Sequence, residues 1–334
     1  MMQTFSAHDA VELAVLERSG FVESRHLGSA VVLAGDGSVV TTLGAVDSPI
    51  YPRSCLKPFQ ALAAMQAGVP LRGAQVAVAA GSHTGSLEHM DLVSGMLAAT
   101  GLSEKHLGCP TAWPSDPEAR AWLVRTDRGK SKLAMNCSGK HAAFLWACME
   151  NGWDTAGYLD PGHPLQQAVR TVVEEYTEQQ VHHTGVDGCG APVMAVTLTG
   201  LARAFSTLAK APSDKNANAR TATIATSMLD YPWAVEGHGQ SNTVVMEDLG
   251  VLAKTGAEGV IAMAAPTGAS VVVKMLDGNG RAGTLVALTL LAASGALDVP
   301  EVAEVLSKVV PPVLGGGVRA GSLRLGHAVS ALLD

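Results

Sequence analysis

The sequence predicts a mixed α/β fold of the α+β kind: an antiparallel sheet flanked by helices, with a helical subdomain beside it. Three observations point there. Strand-like runs cluster at the two ends of the 334-residue chain. Residues between about 60 and 250 carry helical spacing almost throughout. Charged residues make up 16% and hydrophobic ones 47%, the balance of a chain that packs a core rather than staying disordered. The expectation is one catalytic domain over 1–334, with its sheet drawn from about 10–60 and 250–334 and its mostly helical portion from about 60–250.

Each element has a local cause. Glu12–Glu17 supplies a first apolar run, Gly28–Ala34 is β-branched, and Gly35-Asp36-Gly37 turns the chain into Ser38–Leu43, an N-terminal antiparallel meander. From Leu56 the period changes: Phe59, Leu62, Ala63 and Met65 suit a helix whose first turn holds Lys57 and Pro58. Helical spacing recurs in Ser86–Ala99, Pro117–Arg125, His141–Asn151, His163–Glu178, Pro192–Ala209 and Ala219–Leu229. His182 and His183 fall between two of these as a solvated loop pair. Past Lys254, strands return at Gly259–Ala264 and Ala269–Met275 around Pro266-Thr267-Gly268. Asp277-Gly278-Asn279-Gly280 then leads into a helix at Arg281–Ala293. A helix at Glu301–Val309, a glycine join at 315–317 and a short apolar piece at Val318–Leu325 complete the chain. Strands from both ends are expected in one sheet.

Composition narrows the function. A formal net charge of −7, with no cluster of Lys or Arg, argues against a nucleic-acid surface. No apolar run reaches the length of a membrane span. The first nine residues lack the basic and apolar regions of a secretory leader, so a cytoplasmic location is the default expectation. Five widely spread cysteines point to thiols or ligands rather than a disulfide framework. Cys55, Cys109 and Cys148 read as structural thiols.

The chemistry starts from Ser54 and Lys57, an S-x-x-K, and from Lys254-Thr255-Gly256, a K-T-G. A serine hydroxyl is a poor nucleophile until a base takes its proton. A lysine one helical turn away can serve if burial or a second cation lowers its proton affinity. Chance supplies about one S-x-x-K in a chain of this length; the distant K-T-G is what adds weight, because serine β-lactamases and penicillin-binding proteins pair the same two motifs. Cys137, in Asn136-Cys137-Ser138-Gly139-Lys140-His141, and Cys189, in Asp187-Gly188-Cys189-Gly190, sit among small polar residues unlike a helix interior. Zinc takes thiolate and imidazole ligands, so spacing alone selects Cys137, His141 and Cys189. Two buried loop thiols, or a catalytic cysteine paired with a histidine, remain open at this point.

Several segments together carry a resemblance. They are Glu23-Ser24-Arg25-His26, Arg53-Ser54-Cys55-Leu56-Lys57-Pro58-Phe59-Gln60-Ala61-Leu62, Ser82-His83, Asn136 through His141, His163-Pro164-Leu165-Gln166, Asp187-Gly188-Cys189, and Lys274 through Asp277-Gly278-Asn279. Over nearly the whole chain they resemble the bacterial L-asparaginase family of the rhizobial inducible, thermolabile type. That resemblance implies a serine β-lactamase-like fold shared with glutaminases, a homodimer, and hydrolysis of L-asparagine to L-aspartate and ammonia. It implies two serine–lysine pairs, Ser54 with Lys57 and Ser82 with Lys254. It also implies a Zn2+ site of Cys137, Lys140 and Cys189, replacing His141 of the spacing argument. Arg53, His83, Asn136, His141 and Asp187 are the expected substrate contacts, and Thr255 receives no role. Gly239-Gln240-Ser241-Asn242-Thr243 departs from the family pattern, which leaves the choice between asparagine and its chemical neighbours open. Two other readings stand beside this one: a zinc-hydroxide amidase acting on another small amide, and a ligand sensor that is acylated without turnover.

Overall fold

The computed structural model describes residues 3–333. Met1 and Met2, which begin the segment tested above for leader features, and Asp334 lie outside the described residues. The first strands are β1 (Val11–Arg18), β2 (Phe21–Leu33) and β3 (Val39–Leu43). Helices follow: α1 (Lys57–Gln66), α2 (Ala74–Ala79), α3 (Leu87–Ala98), α4 (Pro117–Arg125), α5 (Ser138–Asn151) and α6 (Pro164–Thr177). A small hairpin of β4 (His183–Val186) and β5 (Pro192–Ala195) interrupts them. Then come α7 (Leu198–Lys210), α8 (Ala219–Asp230), α9 (Pro232–Val235) and α10 (Ser241–Leu249). The chain closes with β6 (Leu252–Gly256), β7 (Val260–Ala264), β8 (Ser270–Met275), α11 (Gly283–Ala293), α12 (Val299–Val309), β9 (Val313–Gly315), β10 (Val318–Leu325) and α13 (His327–Ser330).

Strands from both ends join one eight-stranded sheet in the order β6-β7-β8-β2-β1-β10-β9, with β3 also on β2. Every pairing in it is antiparallel. This is the predicted architecture. The register Ala30↔Val273, Val31↔Val272 and Val32↔Val271 sets three fully buried pairs at the junction of the two chain ends. Every residue of β7 and β8 is buried, and α7 and α11 both pack against them. A strand covered on both faces loses the in–out alternation, so these segments read as continuous apolar runs.

Three expectations need correction. Pro192–Ala209 is not one helix: Pro192–Ala195 forms a strand and the helix starts at Leu198. Pro192 lacks an N–H for the helix ladder, and Thr197 caps the true start by accepting from the Gly200 N–H. His183 is the first residue of β4, pairing with Ala195, rather than part of a loop. The glycine join at 315–317 is the turn of a β9–β10 hairpin, and the apolar piece after it is the eight-residue β10 on β1.

Two features place the site. Strand β6, which carries the K-T-G, ends the sheet on one side, and the turn holding Ser54 lies against it. Gly256 permits that approach, since a Cβ there would stand 2.4 Å from the Pro52 carbonyl oxygen. The Cys55 thiol then donates to the Lys254 carbonyl at 3.0 Å, satisfying an acceptor on the edge strand. Burial pushes the Cys55 thiol up to about 12, with Lys254 opposing, which keeps it protonated and structural, as predicted for this cysteine.

Candidate active site

Ser54 lies in a short 3-10 turn, Arg53–Leu56, that runs directly into α1 at Lys57. The two residues are therefore one helical turn apart. Arg53 enters the turn in the left-handed region, φ 54°, a conformation that a non-glycine residue holds only when its surroundings fix it. They do. The Arg53 guanidinium donates from Nε and Nη2 to Asp187 Oδ1, each at 2.8 Å, and the Gly188 N–H donates to the same oxygen at 2.7 Å. Burial would raise the Asp187 carboxyl, but Lys140 and Arg53 together hold it below the usual range.

The lysines converge on Ser82 rather than forming two separate pairs. Lys57 Nζ donates to the Gly81 carbonyl at 2.6 Å and the Asn136 carbonyl at 3.1 Å, and lies 2.8 Å from Ser82 Oγ. Lys254 Nζ lies 2.9 Å from the same hydroxyl and 2.7 Å from the Thr255 carbonyl. Among the described residues no hydrogen bond joins Ser54 Oγ to Lys57; Ser54 is partly exposed and its hydroxyl is uncommitted. Lys57 and Lys254 are both fully buried. Burial lowers the proton affinity of each; Lys140 adds to this at Lys57 while Cys137 opposes it, and at Lys254 the Lys57 charge helps bring it to about 8.

A second cluster lies alongside. Cys137 precedes α5, Lys140 sits in its first turn, and Cys189 follows Gly188 in the β4–β5 connection. Gly139 lets α5 sit close to α2: a Cβ there would stand 2.5 Å from the Val78 carbonyl oxygen. Lys140 Nζ donates to Cys189 Sγ at 3.2 Å, and the Cys137 thiol reaches Asn136 Oδ1 at 3.1 Å. The two buried thiols are coupled, and the coupling, with Lys57 and Lys140 near Cys137, holds Cys137 well below and Cys189 above the normal thiol range. Burial lowers Lys140, but Cys189, Cys137 and Asp187 outweigh it and raise its affinity for a proton. Among the described residues no three His, Cys, Asp or Glu side chains are grouped to hold an ion, so a metal here depends on the lysine nitrogen. Two buried sulfurs and an amine form a donor set that suits zinc.

The expected substrate contacts divide. Arg53, Asn136 and Asp187 keep solvent exposure. His83 and His141 are buried. The Gly85 N–H donates to His83 Nδ1 at 3.1 Å, so the ring proton sits on Nε2, 3.0 Å from Ser138 Oγ. His83 also stacks on His89 at 4.8 Å between centroids. His141 Nδ1 lies 2.6 Å from the Tyr158 hydroxyl, which also accepts from the Gly108 N–H at 2.7 Å. Tyr158 therefore donates to His141, whose Nε2 is buried without a partner among the described residues. Burial pushes both imidazoles well below the usual histidine range, leaving them neutral. His26, also buried, accepts from Arg281 Nε at 2.8 Å and donates to Asp277 at 2.9 Å. Sequence reasoning missed Asn242, Glu236 and the use of Thr255: Thr255 Oγ1 donates to Asn242 Oδ1 at 2.8 Å, and the Asn242 N–H donates to Glu236 at 2.8 Å. Thr255 carried a signal through the K-T-G, and Asn242 lay in the 239–243 segment that departs from the family pattern.

A sequence model described as L-asparaginase II matches residues 14–325. Among solved structures, the chain is similar to a β-lactamase (Mb2281c) from Mycobacterium bovis at 17% identity and a TM-score of 0.37, over 85% of this chain and 95% of that one. It is similar to a Bacillus glutaminase crystallised in 4.3 M NaCl at 12% identity and a TM-score of 0.36, over 81% and 92%. It is also similar to Mglu in its native form at 17% identity and a TM-score of 0.37, over 79% of this chain and 60% of that one. No curated protein matches the sequence.

Proposed function

Since this chain belongs to the L-asparaginase II family, and is thus an amide hydrolase, we propose that it cleaves L-asparagine to L-aspartate and ammonia through an ester on Ser54. The observation that carries this is the Ser82 hydroxyl bridging two buried lysines, 2.8 Å from Lys57 and 2.9 Å from Lys254, with the uncommitted Ser54 one helical turn before Lys57. A hydroxyl shared by two amines moves protons; a free, partly exposed one attacks.

The bonds around Lys57 support one order of events. Neutral Lys57 takes the Ser54 proton as Ser54 Oγ attacks the side-chain amide carbon. The resulting ammonium has three N–H groups, and three acceptors already surround it: the Gly81 carbonyl, the Asn136 carbonyl and Ser82 Oγ. As the carbon–nitrogen bond breaks, Ser82 gives its hydroxyl proton to the departing nitrogen and receives one from Lys57, while Lys254 donates to the same oxygen. Ammonia leaves and Lys57 is neutral again. Lys57 then deprotonates water, which opens the ester; the proton returns to Ser54 as aspartate departs. The Ser54 N–H, at the head of its turn, serves the oxyanion.

Cys137, Lys140 and Cys189 are the residues that would hold zinc, which when bound supplies a fixed positive charge for orienting the polar end of the substrate. Lys140 must lose its proton to join such a site. Arg53 pairs with Asp187, whose carboxylate acts on Lys140. The test is ammonia release from asparagine and from glutamine, with and without a chelator. Release from asparagine that persists at higher KM under chelation supports the reading. Complete loss of kcat on chelation would replace it with a metal-hydroxide amidase, and acylation without ammonia release at steady state with a sensor.

A further inference from the structure

Lys254 and Ser82, which the mechanism uses, also belong to a closed ring of bonds whose other members have no part in it. Lys254 Nζ donates to the Thr255 carbonyl at 2.7 Å and meets Ser82 Oγ at 2.9 Å. The Thr255 hydroxyl donates to Asn242 Oδ1 at 2.8 Å. Asn242, in the first turn of α10, donates its N–H to Glu236 Oε2 at 2.8 Å. The ring then returns through backbone, because the Ser82 N–H donates to the Val235 carbonyl and the Thr84 N–H to the Glu236 carbonyl, each at 2.7 Å. A further bond, from the Thr243 hydroxyl to the Pro232 carbonyl at 3.1 Å, ties α10 to the same segment.

From this ring we infer that Asn242, held by Glu236, is a positioning residue for catalysis: it fixes Thr255, whose carbonyl aims the Lys254 amine at Ser82. A lysine stem has four rotatable bonds and strand β6 has a neighbour on one side only, so the strand alone does not aim Nζ. Asn242 is 1% exposed, and its side chain spans the gap between α10 and β6. Glu236 has a second task. Among the main influences on Lys254, where burial and the Lys57 charge lower its proton affinity, the Glu236 carboxylate raises it, so its negative charge favours the Lys254 ammonium. Capping α10 and burying one polar bond would stabilise the fold but would not require Glu236 to be charged, nor tie the Thr255 hydroxyl to kcat.

The inference rests on the serine–lysine reading, and the assay separates the two. With asparagine as substrate, Thr255→Val is expected to lower kcat roughly tenfold to a hundredfold, the scale on which misplacing a reacting group acts, with KM changing less than kcat. Thr255→Ser restores most of the rate by restoring the hydroxyl. Glu236→Gln keeps an oxygen acceptor for the Asn242 N–H, so α10 retains its cap, and it moves the alkaline limb of kcat to lower pH because the Lys254 ammonium loses a favourable charge. A Thr255→Val enzyme with wild-type kcat, a loss that Thr255→Ser does not recover, or a Glu236→Gln profile with an unmoved limb each overturns the positioning role. Wild-type protein that releases no ammonia from asparagine or glutamine overturns the hydrolase mechanism itself, and the role with it.

Discussion

Two buried lysine clusters stand side by side at the start of α5, and they treat the same side chain in opposite ways. Lys57 and Lys254 make their hydrogen bonds to neutral oxygens: three carbonyls and one shared hydroxyl. Lys140 faces two sulfurs and the Asp187 carboxylate. All three lysines are buried to within 1%. Burial pushes every one of them toward neutrality, and the partners decide the outcome: lowered at Lys57 and Lys254, raised at Lys140. One cluster is therefore suited to exchanging protons near neutral pH and the other to holding a cation. Asn136 joins them, receiving Lys57 on its carbonyl and standing 3.1 Å from Cys137 Sγ through its side-chain oxygen.

The largest expected effects break the first cluster. Lys57→Met removes the base, and kcat should fall on the order of 10⁴-fold, the upper range for proton-transfer catalysis. Ser54→Ala should abolish the covalent adduct formed with a reactive asparagine analogue, read by intact-protein mass spectrometry. An adduct that persists on Ser54→Ala, and disappears from Ser82→Ala, would transfer the nucleophile's role to Ser82.

A smaller effect reads the proton state directly. Lys254 is lowered to about 8, so its ammonium is present below that pH and lost above it. If donation from Lys254 to Ser82 Oγ supports the reaction, kcat falls as pH rises through about 8. Lys254→Met should cost about 10²–10³-fold and flatten that limb. A limb near pH 8 that survives in Lys254→Met belongs to another group.

How much of this was legible follows from how far apart the partners lie in the chain. Ser54 and Lys57 are a local pattern, and one helical turn is all the geometry it needs. The contacts that give the pattern meaning are not local: Lys57 meets Ser82 across 25 residues and Lys254 meets Ser82 across 172. Spacing carries no information about such a meeting, so the two pairs inferred from resemblance turn out to share one hydroxyl. The sheet was readable because β-branched runs at both ends signal strands without tertiary context, whereas β5 was absorbed into a helix because Pro192–Ala195 is short, apolar and followed at once by helical spacing. Thr255 lacked an assigned role because its partner Asn242 sits thirteen residues earlier on another element.

The second cluster is sharpened by metal. Without metal, Cys189 and Lys140 are both raised and favour their protons, whereas Cys137 is lowered, so zinc bound by all three should displace about two protons at neutral pH, as ligand deprotonation requires. Titrating zinc into chelator-stripped protein in weak buffer measures that number. Cys189→Ala should weaken zinc retention and raise KM for asparagine roughly tenfold to a hundredfold while leaving more of kcat. Zinc uptake with no proton release would mean that Lys140 keeps its proton and is not a ligand.

The smallest expected effect tests what keeps the clusters in register. Gly139 lies between Ser138, the partner of His83, and Lys140, on the turn of α5 that packs against α2. A Cβ there would stand 2.5 Å from the Val78 carbonyl oxygen and 3.0 Å from a Val78 methyl carbon. The nearer atom belongs to backbone, so α5 itself must move to make room. Gly139→Ala should therefore destabilise the fold by about 1–3 kcal/mol despite alanine's better helix propensity, seen as a lower Tm. The shift acts on Lys140 more directly than on Lys57, which is carried by α1. KM and zinc retention should accordingly change before kcat does. A kcat loss at unchanged KM would show that the first turn of α5 positions the proton-exchanging lysine through the Asn136 carbonyl, and would tie the two clusters more tightly than their opposite chemistry suggests.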